Sequence, residues 1–166
     1  MAVAAGARVI ATTSSGEKAA LLKEMGVEHV IDYNQDRKWG ATAKGLTPQG
    51  EGVHHVVEVG GESSMAQSLQ AVRVEGVISI VGFLGTTGDA PKIGFSECLK
   101  TLAIVRGISV GSREQFRECS EFIDKHRIKP FEDKKTFEFE EASDAFRYLW
   151  DGKHVGKVVI KVGAGE

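Results

Sequence analysis

The feature that most constrains this chain is an alternation of β-branched apolar runs with segments of helical periodicity. Strands are predicted at residues 8–13, 30–33, 53–59, 77–81 and 103–110, with helical segments between and after them. Strands that alternate with helices in this way predict right-handed β-α-β crossovers and a parallel sheet. The predicted fold class is therefore α/β, a Rossmann-like doubly wound parallel sheet.

Short polar and glycine signals mark where the predicted helices begin and end. Three pairs have the spacing of a capping box: Ser14 with Glu17, Ser64 with Gln67, and Ser112 with Gln115. In a capping box, two side chains satisfy N–H groups at the first turn of a helix. Gly6 has the position of a C-terminal cap, so residues 1–5 are predicted to form the last turn of a helix.

The pattern changes after Pro130. A short strand is predicted around residues 136–139 and a last strand at 155–162, with an amphipathic helix between them. The apolar positions of that helix have helical spacing: Ala142, Ala145, Phe146, Leu149 and Trp150. We therefore predict two parts, an incomplete dinucleotide-binding domain at 1–130 and a strand-helix-strand tail at 131–166.

Composition excludes several classes of partner. The 21 Lys and Arg nearly balance the 23 Asp and Glu, giving a formal net charge of −2 without a basic patch, so neither nucleic acid nor a membrane is an expected partner. No secretory signal or apolar run of membrane-spanning length is present, so a cytoplasmic location is predicted. Cys98 and Cys119 are far apart, which indicates free thiols and gives zinc no support within this chain.

Ligands of doubly wound sheets lie beyond the carboxyl ends of the strands. Glycines follow three of the predicted strands, at Gly60, Gly82 and Gly111, where they would let the backbone approach a flat or phosphorylated ligand. The G-x-G-x-x-G fingerprint that opens a dinucleotide-binding helix is absent from the sequence. If residues 8–13 are the second strand of a mononucleotide unit, the first strand and its glycine-rich loop are expected before Met1, and the fold would lack both.

Two further positions leave alternatives open. After the first predicted strand, Ser14 and Ser15 with Lys18 offer hydroxyls and a cation that suit a ribose 2′-phosphate, although Ser14 could merely cap its helix and Lys18 be a solvated lysine. Glu58 lies among apolar neighbours in the sequence. Two interpretations are open: a partly buried carboxylate with a raised pKa, or a member of a structural salt bridge. His54 and His55 are adjacent in a strand and face opposite sides, so they cannot bind one metal ion together.

The order of these segments resembles the cofactor-binding half of the medium-chain dehydrogenases, the superfamily of zinc-type alcohol dehydrogenases and quinone oxidoreductases. The resemblance covers essentially the whole chain. It depends on the motifs at residues 5–18, 25–33, 39–47, 52–61, 76–84, 105–112 and 139–159. His54 departs from the pattern, because relatives often have Asp there.

The resemblance implies roles for named residues. Ser14 and Lys18 would hold the adenosine ribose or its phosphate, with Tyr33 near the adenine. Lys157 could reach the pyrophosphate. The nicotinamide would lie against residues that follow three strands: Val59, Gly60, Val81, Gly82, Phe83, Ile108 and Val110.

The function that the resemblance implies is part of an NAD(P)(H)-dependent oxidoreductase, which transfers hydride to or from an alcohol, aldehyde, ketone or quinone. NADP(H) is expected in preference to NAD(H). A homodimer is expected through strand 103–110, and the isolated chain is expected to be inactive because the family's catalytic groups would lie outside it. The alternative is a non-catalytic remnant or a dimerising interaction module.

Overall fold

The computed structural model describes residues 1–83 and 93–163 of the 166-residue chain. The chain divides into two compact units, an N-terminal unit of residues 2–117 and a C-terminal unit of residues 118–166, to which Met1 also belongs. Among the helices of the described ranges, none is long and apolar enough to cross a membrane.

The N-terminal unit alternates strands with helices, as predicted. Its elements are β1 (Ile10–Thr13), α1 (Gly16–Glu24), β2 (His29–Asp32), α2 (Trp39–Gly45), β3 (Val53–Glu58), α3 (Glu62–Ala71), β4 (Val72–Ile80), α4 (Phe95–Thr101) and β5 (Ile104–Gly107). Helix α5 (Arg113–Lys125) follows and contains the division between the units. Every strand pairing is parallel, so the predicted α/β class is confirmed.

The parallel strands form two separate ladders in this unit. β1 pairs with β2, and β4 lies between β3 and β5. Within the described residues no ladder joins β1 to β3; a groove of about 1520 Å³ is lined by residues of both strands. In the strand order of a doubly wound dinucleotide-binding sheet, one further strand lies between the positions of β1 and β3.

Apolar side chains pack on both ladders. Ile31 of β2 packs with Ala43 and Ala71, and this cluster includes Trp39 from the start of α2. A second cluster is centred on Ile78, which is fully buried in β4. Burial on both faces of a parallel strand favours the continuous apolar run that predicts β4 from the sequence.

Two of the three predicted capping boxes are wrong. The cap of α1 is Ser15 rather than Ser14: the Ser15 hydroxyl accepts a hydrogen bond from the Lys18 N–H at 3.4 Å. Helix α3 begins at Glu62, so Ser64 lies inside its first turn and donates to a carboxylate instead of capping. For α1, spacing alone cannot distinguish Ser14 from Ser15 as the cap, because both hydroxyls are close to the same N–H groups.

The third capping box and the glycine cap are confirmed. At the start of α5, Gln115 Oε1 accepts from the Ser112 N–H at 2.7 Å, and the Ser112 hydroxyl accepts from the Gln115 N–H at 3.2 Å. Gly6 has a φ of +80°, and its N–H donates to the Val3 carbonyl at 2.9 Å. Such a bond at a left-handed glycine is typical of the end of a helical turn.

The C-terminal unit contains the predicted strand, helix and strand, here β6 (Glu132–Phe137), α6 (Ala142–Trp150) and β7 (Lys157–Ile160), with β6 and β7 parallel. β6 begins four residues earlier than predicted. Asp133 of β6 accepts from the Val155 N–H at 2.7 Å and from the Tyr148 hydroxyl at 3.2 Å. One carboxylate therefore joins β6 to α6 and to the segment before β7.

Candidate functional site

The carboxyl ends of β3, β4 and β5 lie side by side. The Val81 N–H donates to the Glu58 carbonyl at 2.9 Å, and the Ile108 N–H donates to the Ile80 carbonyl at 2.8 Å. These bonds continue the parallel ladders to the last residue of each strand. The residues that directly follow the three strands therefore share one edge of the sheet.

This edge exposes apolar side chains instead of burying them. Val59 is 43% exposed and Val81 44%, and Ile108, Phe83 and Val110 are also exposed. A Cβ on Gly82 would lie 2.9 Å from the Val59 carbonyl oxygen, so only glycine fits there against the neighbouring strand. Exposed apolar side chains with a glycine between them form a flat surface against which a planar ring can pack.

Glu58, the last residue of β3, fixes the glycine turn at this edge. Its carboxylate is 3% exposed and its Oε1 accepts from the Gly60 N–H at 2.8 Å and the Gly61 N–H at 3.0 Å. The Ser64 hydroxyl donates to the same oxygen at 2.5 Å, and the Ser68 hydroxyl donates to Oε2. The predicted salt bridge of Glu58 is wrong, because N–H groups and hydroxyls satisfy the buried charge in place of a cation.

A second polar group of residues lies in the turn between β1 and α1. Ser14, Ser15 and Lys18 are each half-buried there, and the Ser15 hydroxyl oxygen is the helix cap. The Ser14 hydroxyl and the Lys18 ammonium form no hydrogen bond within residues 1–83 and 93–163. The turn therefore presents a hydroxyl and a cation that are not satisfied by this part of the protein.

The groove between β1 and β3 is lined by three of the residues predicted for the cofactor site. Tyr33, which follows β2, lines the groove together with Val59 and Gly60 of the apolar edge. The structure thus brings Tyr33 to the same concave surface as Val59 and Gly60, two of the residues predicted to contact the nicotinamide. Residue 84, the last of the motif predicted at residues 76–84, lies outside the described residues.

Two of the remaining positions, His54 and His55, line the groove, and Lys157 belongs to the C-terminal unit. Lys157 is the first residue of β7 in the C-terminal unit, where its N–H donates to the Phe131 carbonyl at 2.8 Å. His54 and His55 are both exposed on β3. In the described part of the chain, no three His, Cys, Asp or Glu side chains come together to hold a metal ion.

Asn34 is a residue of this region that the sequence analysis did not single out. Its side-chain amide donates to the Ser14 carbonyl at 2.8 Å, across the ends of β1 and β2. An asparagine directly after a strand is a common turn signal. The sequence contains no sign that its partner lies twenty residues away.

Comparisons with known proteins agree with this geometry. The sequence pattern of the zinc-binding dehydrogenases matches residues 1–125. The zinc-type alcohol dehydrogenase-like protein of Schizosaccharomyces pombe is 39% identical over 163 residues, which are 97% of this chain and 46% of that protein.

Two solved structures extend the likeness to the fold. An NAD-dependent alcohol dehydrogenase has a TM-score of 0.82 and 26% identity, over 95% of this chain and 45% of that one. The quinone oxidoreductase from Thermus thermophilus, also solved with NADPH, has a TM-score of 0.74 and 27% identity, over 97% of this chain and 52% of that one. The chain spans about half the length of these relatives.

The parallel ladders and the open edge at their carboxyl ends define a Rossmann-like α/β domain of the cofactor-binding class. The chain belongs to the zinc-binding dehydrogenase family. Its relatives include both alcohol dehydrogenases and quinone oxidoreductases, so the resemblance to the medium-chain dehydrogenases is confirmed.

Proposed function

We propose that this chain is the cofactor-binding portion of an NAD(P)(H)-dependent oxidoreductase that acts on an alcohol, aldehyde, ketone or quinone. The observation that supports this proposal best is the exposed apolar edge beyond β3, β4 and β5, two residues of which, Val59 and Gly60, line the same groove as Tyr33. A nicotinamide dinucleotide has the matching chemistry, a planar ring at one end and a phosphorylated ribose at the other. When bound, such a cofactor supplies or accepts hydride.

Residues of the chain would orient the two ends of the cofactor. Val59, Val81, Phe83, Ile108 and Val110 would provide the apolar seat for the ring and exclude water from one of its faces. Gly60 and Gly82 would allow the backbone to approach the ring closely. Glu58 would keep the Gly60 turn in place without contacting the cofactor.

At the other end we propose a preference for NADP(H) over NAD(H). Ser14, Ser15 and Lys18 would face the adenosine ribose, with Tyr33 near the adenine. The support for this preference is chemical: a cation and hydroxyl donors bind a 2′-phosphate, whereas an acidic side chain would accept from a ribose hydroxyl.

Lys18→Ala tests the cofactor preference. We expect the wild-type chain to bind NADPH more tightly than NADH, and Lys18→Ala to lower this ratio about tenfold, since a charged contact to phosphate is lost. Binding is measured by calorimetric titration of both cofactors. Lys23→Ala is the matched control, because Lys23 is an exposed lysine in the last turn of the same helix.

Two outcomes of this titration would contradict the proposal. Equal affinity of the wild type for the two cofactors would remove the NADP(H) preference. A ratio that stays unchanged in Lys18→Ala, or falls equally in Lys23→Ala, would show that Lys18 does not contact the 2′-phosphate.

We propose further that β5 joins two copies of the chain. In the described part of the N-terminal unit, β5 pairs only with β4, and Ile104 is 55% exposed. An exposed apolar edge strand favours pairing with another strand. We also propose a cytoplasmic location, in keeping with the free thiols Cys98 and Cys119.

A further inference from the structure

We propose that Asn34 is a positioning residue for cofactor discrimination: its side chain holds the turn after β1 so that the hydroxyl groups of that turn meet a ribose 2′-phosphate. This inference rests on the proposed function, because it assigns a role at the site proposed above. It extends the site to a residue outside the serine and lysine pattern.

The bond from Asn34 joins two turns that are twenty residues apart in sequence. Asn34 Nδ2 donates to the carbonyl of Ser14 at 2.8 Å. The adjacent Tyr33 N–H donates to the Thr13 carbonyl at 3.0 Å, which continues the β1–β2 ladder to the same point. Two consecutive carbonyls, that of the last residue of β1 and that of the residue after it, are therefore held by two consecutive residues after β2.

Asn34 is itself held firmly enough to act as a support. Its N–H donates to Asp32 Oδ1 at 2.9 Å, which forms an Asx turn at the end of β2. The Asp36 N–H donates to the Asp32 carbonyl at 2.8 Å, so the next residues also turn back on β2. The Asn34 backbone is therefore held by Asp32, and its amide by the bond to the Ser14 carbonyl.

The accepting carbonyl lies in the peptide that links Ser14 to Ser15. A bond to this oxygen restrains the orientation of that peptide plane, and with it the directions in which the Cβ atoms of Ser14 and Ser15 leave the backbone. The Ser15 hydroxyl oxygen is occupied by the Lys18 N–H. Its hydrogen and the Ser14 hydroxyl remain to donate to an anion, provided that the turn keeps this geometry.

The test uses adenosine 2′,5′-bisphosphate and 5′-AMP, which differ only in the 2′-phosphate and do not depend on the nicotinamide end. We measure the affinities of the full chain for both nucleotides by calorimetric titration. Asn34→Ala should lower the affinity ratio of the bisphosphate to 5′-AMP about fivefold, which is the effect expected from losing one hydrogen bond. The affinity for 5′-AMP should stay nearly unchanged, because this nucleotide lacks the 2′-phosphate. A general loss of structure would instead weaken the binding of both nucleotides equally.

Two more variants complete the test. Gln35→Ala is the matched control: Gln35 is the next amide side chain, it donates to Asp32 Oδ2 at 3.3 Å, and it has no bond to the β1 turn. Its ratio should equal that of the wild type. Asn34→Gln retains an amide donor on a longer stem and should recover part of the ratio lost in Asn34→Ala.

The outcomes separate this inference from the proposed function. If the wild type prefers the bisphosphate but Asn34→Ala keeps the same ratio, or Asn34→Gln recovers none of a lost ratio, the role of Asn34 is overturned while the cofactor preference stands. If the wild type binds the two nucleotides equally, both the preference and this inference are overturned.

Discussion

Glu58 is a buried carboxylate whose hydrogen-bond partners within the described ranges are all neutral. Two backbone N–H groups and two serine hydroxyls donate to it at the start of α3. The arrangement satisfies a negative charge at a helix N-terminus, where the helix dipole also favours it. At the scale of single residues, the Glu58 carboxylate and the positive φ of Gly61 together define this glycine turn.

We expect Glu58→Gln to lower the free energy of unfolding by about 1–3 kcal/mol, because one acceptor oxygen is replaced by an amide that faces existing donors. Urea unfolding followed by circular dichroism measures the change. Glu62→Gln is the control, since Glu62 is an exposed acid in the first turn of the same helix. Equal midpoints for the two variants would show that the Glu58 hydrogen bonds do not stabilise the fold.

At the scale of elements, the proposed dimer depends on the outer edge of β5. The Ile108 N–H donates to β4, and alternate residues of a strand direct their N–H groups to opposite sides. Gly107 therefore directs its N–H away from β4, and a Cβ added to it meets no atom within 4 Å. A substitution here can change the outer edge without disturbing the core.

Gly107→Pro should remove the association that we propose for β5, because proline lacks the outward N–H and prevents pairing with a second strand. Sedimentation velocity over a range of concentrations measures the effect. Gly107→Ala retains the N–H and should behave as the wild type does. A wild type that remains a monomer at all concentrations, or a proline variant that still associates, would contradict a dimer through β5.

Asp133 makes the pairing of β6 and β7 sensitive to acid. Hydrogen bonds from the Val155 and Lys135 N–H groups hold the pKa of this carboxyl below its ordinary value. A lowered folded-state pKa stabilises the fold fully above the unfolded value of about 3.9, and this stabilisation is lost as the pH falls through the lower folded-state value. The pairing should thus weaken below about pH 4.

We expect Asp133→Asn to destabilise β7 at pH 7 and to reduce the acid dependence of its stability. Amide hydrogen exchange of residues 157–160, measured at several pH values, reports this directly. Asp144→Asn is the control, because Asp144 is an exposed acid of α6 that pairs only with Arg147. An unchanged exchange rate in Asp133→Asn at neutral pH would exclude the proposed link.

At the scale of the whole molecule, we expect the groove between β1 and β3 to limit the stability of the fold. β1 and β3 each pair on one side only, whereas β4 is paired on both sides. The N–H and C=O groups that face the groove have no strand partner among the described residues, and a backbone group left without a partner costs stability when it is buried. The chain studied alone should therefore be only marginally stable.

We expect amides of residues 10–13 to exchange much faster than those of residues 77–80 in the isolated chain. Thermal unfolding should occur below about 65 °C, within or under the range of ordinary mesophilic domains. Hydrogen exchange by mass spectrometry and a calorimetric scan measure the two quantities. Strong protection of β1 together with a cooperative transition above about 65 °C would show that the groove does not weaken the sheet.

Some features of the fold follow from the sequence because they are local. The Ser112–Gln115 capping box and the Gly6 cap each depend on residues within four positions of one another, so spacing alone predicts them. The alternation of strands and helices is similarly local, since each element has its own periodicity. A helix between two successive strands returns the chain to the starting edge of the sheet by a right-handed crossover, so the strands lie parallel.

The positions of Ser64 and Glu58 were decided by tertiary structure. Ser64 has the spacing of a cap, but Gly61, with a φ of +83°, begins the helix earlier because the buried Glu58 carboxylate holds the preceding N–H groups. Glu58 lies ten residues before Ser68, and no sequence spacing predicts a hydrogen bond between these two side chains. Such a partner exists only once β3 and α3 have packed together.

The sequence by itself determined the α/β class, the family, and the strand ends at which the candidate site residues lie, because periodicity and local caps depend on neighbouring residues. Only the tertiary structure decided which polar groups meet. It decided that Asn34 reaches Ser14, that serines and N–H groups rather than a cation satisfy Glu58, and that β1 and β3 face an open groove. The physical reason is that hydrogen bonds and burial between distant segments depend on how folded elements pack, which no local pattern encodes.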